Sequence, residues 1–314
     1  MEGICIFCMK NKQLTEEHII PDCVGGGLTA DILCKTCNEF AGSKIDGPFA
    51  NTFLVQMPRQ TYQIPGKTGY IPNPFGAVAE ITNGGQGKAK LTDKLEPYLI
   101  PEVKSSEEGE GIRFTVSIDK KDEKNLEQIL RKKISRSIKE KWPYMPEAEA
   151  KALLEKAIKD TMAASTTHSF MPELKYSVEI DMNDIPLEFV KIAYEMAYLK
   201  HGMSYVNDSP VAKLLRNSLV TCDKNAPIRG TVPLPQDMFQ EFFVDPEKHY
   251  VLLFKNTCYV KIFGLAGLVE VCGEKERFNL SEQDSVLYIF NSKTGSYETV
   301  SFIEFLGRSL EGRK

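Results

Sequence analysis

Cys5-Ile6-Phe7-Cys8 and Cys34-Lys35-Thr36-Cys37 put four thiols into two tight turns, and Glu17-His18, Gly25-Gly26-Gly27 and Asn38 stand between or just beyond them. Two Cys-x-x-Cys turns offer four thiolates, the donor set of a closed tetrahedral zinc site. A closed set leaves no open coordination position, so the zinc expected on Cys5, Cys8, Cys34 and Cys37 is structural. Such a metal contributes about 10–16 kcal/mol in isolated finger peptides, which matters for a segment with too little apolar surface to fold alone. Cys23 lies between the turns with no partner at this spacing and reads as a small buried side chain or a substitute ligand. An acidic-His dipeptide together with an amide is what a one-metal hydrolytic site needs.

These residues need elements to position them. Glu17-His18-Ile19-Ile20-Pro21 reads as a short strand stopped by proline. The glycines form a loop, Ile32-Leu33 a brief return strand, and Asn38 to Asp46 a short helix with Phe40 toward the core and Ala41 and Lys44 on its other faces. The expected order is strand, loop, strand, helix.

In that order and with C-x-x-C, E-H-I-I-P, G-G-G and C-x-x-C-N at these spacings, Cys5 through about Asp46 resembles the HNH endonuclease family and its ββα-metal fold. The resemblance covers about one seventh of the chain. It implies His18 as general base, Glu17 and Asn38 as ligands of a catalytic cation, and DNA in preference to RNA as substrate. The family's middle Asn, which orients the catalytic loop, is missing; Thr29 or Asp31 falls nearest. Glu rather than Asp at position 17 is a milder variation.

The implied chemistry is coherent. An imidazole with an ordinary pKa near 6.5 has about the right strength to take a proton from water near neutrality. A hard cation held by carboxylate and amide oxygens, Mg²⁺ or Mn²⁺, offsets charge at phosphorus and at the departing oxygen. Asn38 follows Cys37 directly, so the thiolate cage would set where the helix starts. Taken singly, a Glu-His pair is often a surface pair, Asn after a knuckle a helix cap, and three glycines a turn. Their conjunction between two knuckles favours the nuclease reading. Two other readings fit the same residues: a zinc module that binds nucleic acid or protein without cutting, and a nuclease effector of an anti-phage system gated by a small molecule. A bacterial or phage defence or restriction setting accords with the first and third. One such site cuts one strand, so a homodimer is expected for double-strand breaks.

Charge is a counterweight. The chain is formally −4, and nucleic-acid affinity is mostly phosphate neutralisation. The strongest basic element is the helix expected over Lys124 to Trp142, where Leu126, Ile129, Leu130, Ile134 and Ile138 mark one apolar face. Arg131, Lys132, Lys133, Arg136 and Lys139 are its candidate phosphate contacts, and a solvated helix face explains them equally well.

The length suggests a module at 1–58, a Pro/Gly-rich connection at 59–110 and a larger domain at 111–314 that selects a target or senses a signal. Short strands are expected around Thr61 to Ile64 and Ala77 to Ile81. The larger domain reads as α+β with antiparallel strands. Its expected strands cover Ile112 to Ile118, Tyr176 to Ile180, a hairpin of Tyr250–Phe254 with Cys258–Phe263, Leu268–Val271 and Val286–Phe290. Helices are expected at Glu147–Ala163, Leu187–His201 and Ser301–Leu310. No phosphate-loop motif occurs, and His168, His201 and His249 read as structural or solvent-exposed. Eight cysteines in 314 residues form no disulfide framework. The first residues lack the pattern of a signal peptide and no apolar run is long enough to span a bilayer, so a cytoplasmic location with no membrane partner is expected.

Overall fold

The computed structural model describes residues 1–66, 68–83, 87–108, 111–164, 171–223 and 242–311. Its contacts divide the chain into two compact units, Met1–Pro72 with Glu179–Lys314, and Asn73–Val178. This division cuts across the segments 59–110 and 111–314, because the first residues share their core with 179–314. The architecture is mixed α+β, and its paired strands are antiparallel.

The chain opens with a three-stranded sheet in the order β1 (Glu2–Ile4), β2 (Asn11–His18) and β3 (Thr29–Cys34). β2 begins well before the expected Glu17. Asn11, Lys12 and Gln13 are polar and exposed, and pairing with β1 rather than an apolar pattern makes them strand. A bulge between Thr15 and Glu16 shifts the β2–β3 register, leaving Glu17 opposite Ala30 and His18 opposite Thr29. α1 (Lys35–Ala41) runs into a π turn at Gly42–Asp46, then α2 (Gly47–Asn51) and α3 (Phe53–Thr61). Here Ala41 is buried and Phe40 partly exposed, the reverse of the expected facing. The wider π turn, a form frequent at functional sites, carries Ile45 into the core and Asp46 toward the interior. No strand forms over Thr61–Ile64. The end of α3 closes instead through Tyr62 N–H to Pro58 O and Ile64 N–H to Arg59 O.

The unit Asn73–Val178 holds a four-stranded sheet built from β4 (Ala79–Ile81), β5 (Lys88–Leu91), β6 (Pro97–Leu99) and the two-residue β9 (Leu174–Lys175), in the order β6-β5-β4-β9. It also holds the hairpin β7 (Glu102–Glu108) and β8 (Gly111–Ser117), with α4 (Leu126–Lys141) and α5 (Glu147–Ala163). Leu130, Ile134 and Ile138 pack with Ala157 and Ile158 into its core. The alternation over Tyr176–Ile180 does not make a strand. Val178 and Ile180 are exposed, and with no partner to bury one face, period-two patterning has nothing to act on.

After it come α6 (Asp184–His201), α7 (Met203–Asp208) and α8 (Pro210–Thr221), then β10 (Lys248–Phe254), β11 (Thr257–Ile262), β12 (Leu265–Glu270), β13 (Val286–Asn291), β14 (Tyr297–Ser301) and α9 (Phe302–Glu311). The five strands form one sheet in the order β12-β11-β10-β13-β14. Its alternation separates two cores: Val251 and Leu253 face α6, whereas Tyr250 and Leu252 face Phe243 and α9. α6 is buried nearly all round from Ile185 to Ala197. Phe189, Tyr194 and Met196 meet Ile6, Phe7, Ile19 and Phe49 in the first of these cores, at about 1.5–3 kcal/mol for each large apolar side chain removed from water.

Candidate active site

Cys5 and Cys8 lie in the turn after β1, Cys34 ends β3, and Cys37 is in α1. Their sulfur atoms lie within 4.8 Å of one another. Cys8 Sγ and Cys34 Sγ are 4.0 Å apart, close to the roughly 3.8 Å edge of a tetrahedron with metal–sulfur bonds of about 2.3 Å. The four thiols are thus positioned to bind a metal, and an all-sulfur tetrahedral set suits structural zinc. Cys23 stays outside this cluster, half-buried, and burial pushes its thiol up to about 11.

His18 is the last residue of β2, and its Nδ1 lies 3.2 Å from the carbonyl oxygen of Gly26. The glycine loop comes close enough to do this because side chains are excluded from it. A Cβ on Gly26 would stand 1.9 Å from the Ile20 carbonyl oxygen. Cβ atoms on Gly25 and Gly27 would overlap the backbone oxygens of Ser292 and Gly295, at 2.1 and 1.8 Å. The turn between β13 and β14 therefore packs directly on the loop. Together they wall a cleft of about 800 Å³ lined by His18, Asp22, Pro65, Gly66, Lys293 and Tyr297 among others. Lys293, the one cationic side chain of the lining, pairs with Glu247 at 2.7 Å and stays about half exposed.

Glu17 faces the other way, as alternation along a strand requires. Its carboxylate is 3% exposed and lies 2.6 Å from Lys191 Nζ on α6. The same ammonium is 3.0 Å from Asp46 Oδ1 and 4.0 Å from Glu195 Oε2, and it donates a 3.0 Å hydrogen bond to the His18 carbonyl. The contacts to Glu17 and Asp46 are close ion pairs without hydrogen-bond alignment. Glu188 and Glu195 are fully buried, Glu188 beside the Asp46 carboxylate. Burial raises the Glu17 carboxyl against the pull of Lys191. Burial, reinforced by neighbouring carboxylates, raises Glu188 and Glu195 well above the ordinary range and favours them as neutral acids. Burial works against the Lys191 ammonium too, yet Asp46, Glu195, Glu188 and Glu17 hold its pKa well above normal.

Asn38, in α1, donates from Nδ2 to the Glu16 carbonyl at 2.7 Å and to Thr15 Oγ1 at 3.3 Å. Its amide thus binds the strand just before Glu17, and its Oδ1 is left over. The structure brings His18, Glu17 and Asn38 to one strand end but on different sides of it: His18 in the cleft, Glu17 on α6, Asn38 on α1. His249 is fully buried; Nε2–H donates to Val24 O at 2.7 Å and Nδ1 accepts from Phe263 N–H at 3.4 Å. Burial lowers its pKa to about 4. His201 is partly exposed against Phe278, and His168 lies outside the described residues.

Of the basic face of α4, Arg131 is held by Glu155 and Glu127 and Arg136 by Glu140, while Lys132, Lys133 and Lys139 are exposed. The first two are thus already charge-paired within their own unit.

Sequence reasoning missed Lys191, Glu188 and Glu195. The signal was present: three charges at i, i+3 and i+7 in an otherwise apolar helix are rare unless paired.

Residues 5–54 match a family model described as HNH endonuclease. No curated protein and no solved structure matches the chain. No helix among the described residues is long and apolar enough to cross a membrane.

Proposed function

We propose that this protein is a metal-dependent HNH endonuclease that hydrolyses DNA phosphodiester bonds with His18 as general base. The observation that carries the reading is the contact between His18 Nδ1 and the Gly26 carbonyl at the cleft. A carbonyl oxygen can only accept, so Nδ1 carries the proton and Nε2 keeps its lone pair for a water in the cleft. Gly26 O thereby does the orienting that the absent middle Asn does in the resembled family.

His18 Nε2 takes a proton as the water oxygen bonds to phosphorus, the phosphorus–oxygen bond on the far side breaks, and the departing oxygen takes a proton from solvent. Glu17 and Asn38 are the proposed cation ligands, a carboxylate and an amide oxygen being donors a hard ion takes. Lys191 engages Glu17 Oε1 and leaves Oε2, while the two donations from Asn38 Nδ2 leave Oδ1. Bound Mg²⁺ or Mn²⁺ would supply positive charge against the phosphorane and leaving oxygen. The Cys5, Cys8, Cys34 and Cys37 zinc would hold β3 and α1, and with them Asn38, in place. Lys293 offers a phosphate contact within the cleft; Lys132, Lys133 and Lys139 offer others on their own unit. A defence or restriction setting, homodimerisation and a cytoplasmic location belong to the same proposal, and a small-molecule activator to the alternative of a gated effector.

The test is cleavage of supercoiled plasmid with Mg²⁺ or Mn²⁺ by the parent and by His18→Ala at equal zinc content. Loss of cutting with the fold retained is expected. Equal cutting by both overturns the assignment, and duplex binding with no product under either metal favours the non-cutting zinc module.

A further inference from the structure

We infer that Lys191 is a positioning residue for the His18 site, so that helix α6, far outside the nuclease segment, sets where the catalytic strand ends. The inference rests on the reading of His18 as general base.

The Lys191 ammonium donates one aligned hydrogen bond, to the His18 carbonyl, and its charge pairs with two carboxylates. Lys191 has three oxygens close to it: the His18 carbonyl at 3.0 Å, Glu17 Oε1 at 2.6 Å and Asp46 Oδ1 at 3.0 Å. The three come from consecutive residues of β2 and from the π turn after α1. One charge therefore ties the main chain of the proposed base, the side chain of a proposed cation ligand and the end of the π turn that α1 runs into. On its other side, the strand continues through Ile19 N–H to Leu28 O at 3.1 Å, so the backbone around His18 is held from both edges.

Stability alone does not call for such a cluster. Exchanging buried ion pairs for well-packed apolar side chains is often neutral or favourable. Around Lys191, moreover, Glu188 and Glu195 add two fully buried carboxyls, a cost an apolar helix face would avoid. What the charge adds is direction. It fixes the His18 carbonyl and the Glu17 carboxylate relative to each other, and displacements of an ångström at such groups cost a nuclease about 100-fold in rate.

The test uses the full-length protein, supercoiled plasmid and Mn²⁺, with kcat, KM and the half-saturating Mn²⁺ concentration as readouts. Lys191→Met alone leaves buried carboxylates uncompensated, so the decisive variant is Lys191→Met combined with Asp46→Asn, which removes the cation and one of the carboxylates paired with it. With zinc content and a cooperative melt retained, this pair is expected to lose about 10- to 100-fold in kcat, to keep KM within about two-fold and to change its Mn²⁺ requirement. Glu195→Gln alone, which perturbs the same cluster but spares the three contacts, is expected to stay within about three-fold of the parent in kcat. Parental kcat and Mn²⁺ requirement in the double variant overturn the inference. So does an equal loss in Glu195→Gln, or a double variant that no longer melts cooperatively, since the cluster would then be a folding element. His18→Ala run alongside separates the two failures: if it cuts like the parent, the reading of His18 as general base falls and the positioning role with it.

Discussion

His18 Nδ1 stands 3.2 Å from the carbonyl oxygen of Gly26, eight residues on and across the loop that ends at β3. That contact aims the imidazole into the cleft, and it exists because Gly26 can lie where a Cβ would strike the Ile20 carbonyl.

Gly26→Ala is expected to displace the loop and lose cutting. An added methyl in so tight a contact costs about 1–3 kcal/mol and moves backbone. A lowered melting temperature together with reduced plasmid cleavage checks it; an unchanged rate would show that the Gly26 carbonyl does not orient His18.

Zinc removal should loosen the whole N-terminal sheet. Cys37→Ser, or a strong chelator, is expected to abolish stoichiometric zinc and to reduce thermal stability, because metal-binding free energy is folding free energy in such sites. Metal analysis and a melt report it. Retention of one zinc per chain in Cys37→Ser would remove Cys37 from the ligand set.

Acid sensitivity should carry the signature of His249. Its folded pKa is about 4 against about 6.5 when unfolded, so the folded state binds fewer protons between those values. Its contribution is therefore complete above about pH 6.5 and is lost as pH falls toward 4, by about 3 kcal/mol for a fully buried group. The raised Glu17, Glu188 and Glu195 act in the opposite sense, so the comparison must be differential. His249→Phe is expected to flatten the fall in denaturant stability between pH 6.5 and 4 relative to the parent. Parallel curves would count against it.

Lys293→Ala should weaken substrate binding with little change in kcat. It removes one cation from the cleft, so the slope of log affinity against log salt should fall by about one. Titration of a DNA duplex at several salt concentrations measures this, and an unchanged slope would take Lys293 out of the phosphate path.

Much of the site was legible in the chain because its signals are local. Two Cys-x-x-Cys turns bring four sulfurs together once β3 and α1 form, and the strand–loop–strand–helix order follows from patterns a few residues long. Helices such as Glu147–Ala163 and the β10–β11 hairpin were readable for the same reason: their periodicity is internal. Where a second partner decides, the sequence was silent or misleading. Thr61–Ile64 closes a helix, Tyr176–Ile180 finds no strand to pair with beyond Lys175, and Phe40 and Ala41 exchange faces once a π turn widens the helix end.

The same boundary runs through the site. Residue types and order determined the thiolate cage and singled out Glu17, His18 and Asn38, since each needs only its neighbours in the chain to be noticed. Tertiary structure decided where they point. Gly26 O meets His18 because the turn at Ser292–Gly295 presses the glycine loop into place. Glu17 meets Lys191 because a buried carboxylate must find its counter-charge wherever packing brings one, here 174 residues further on.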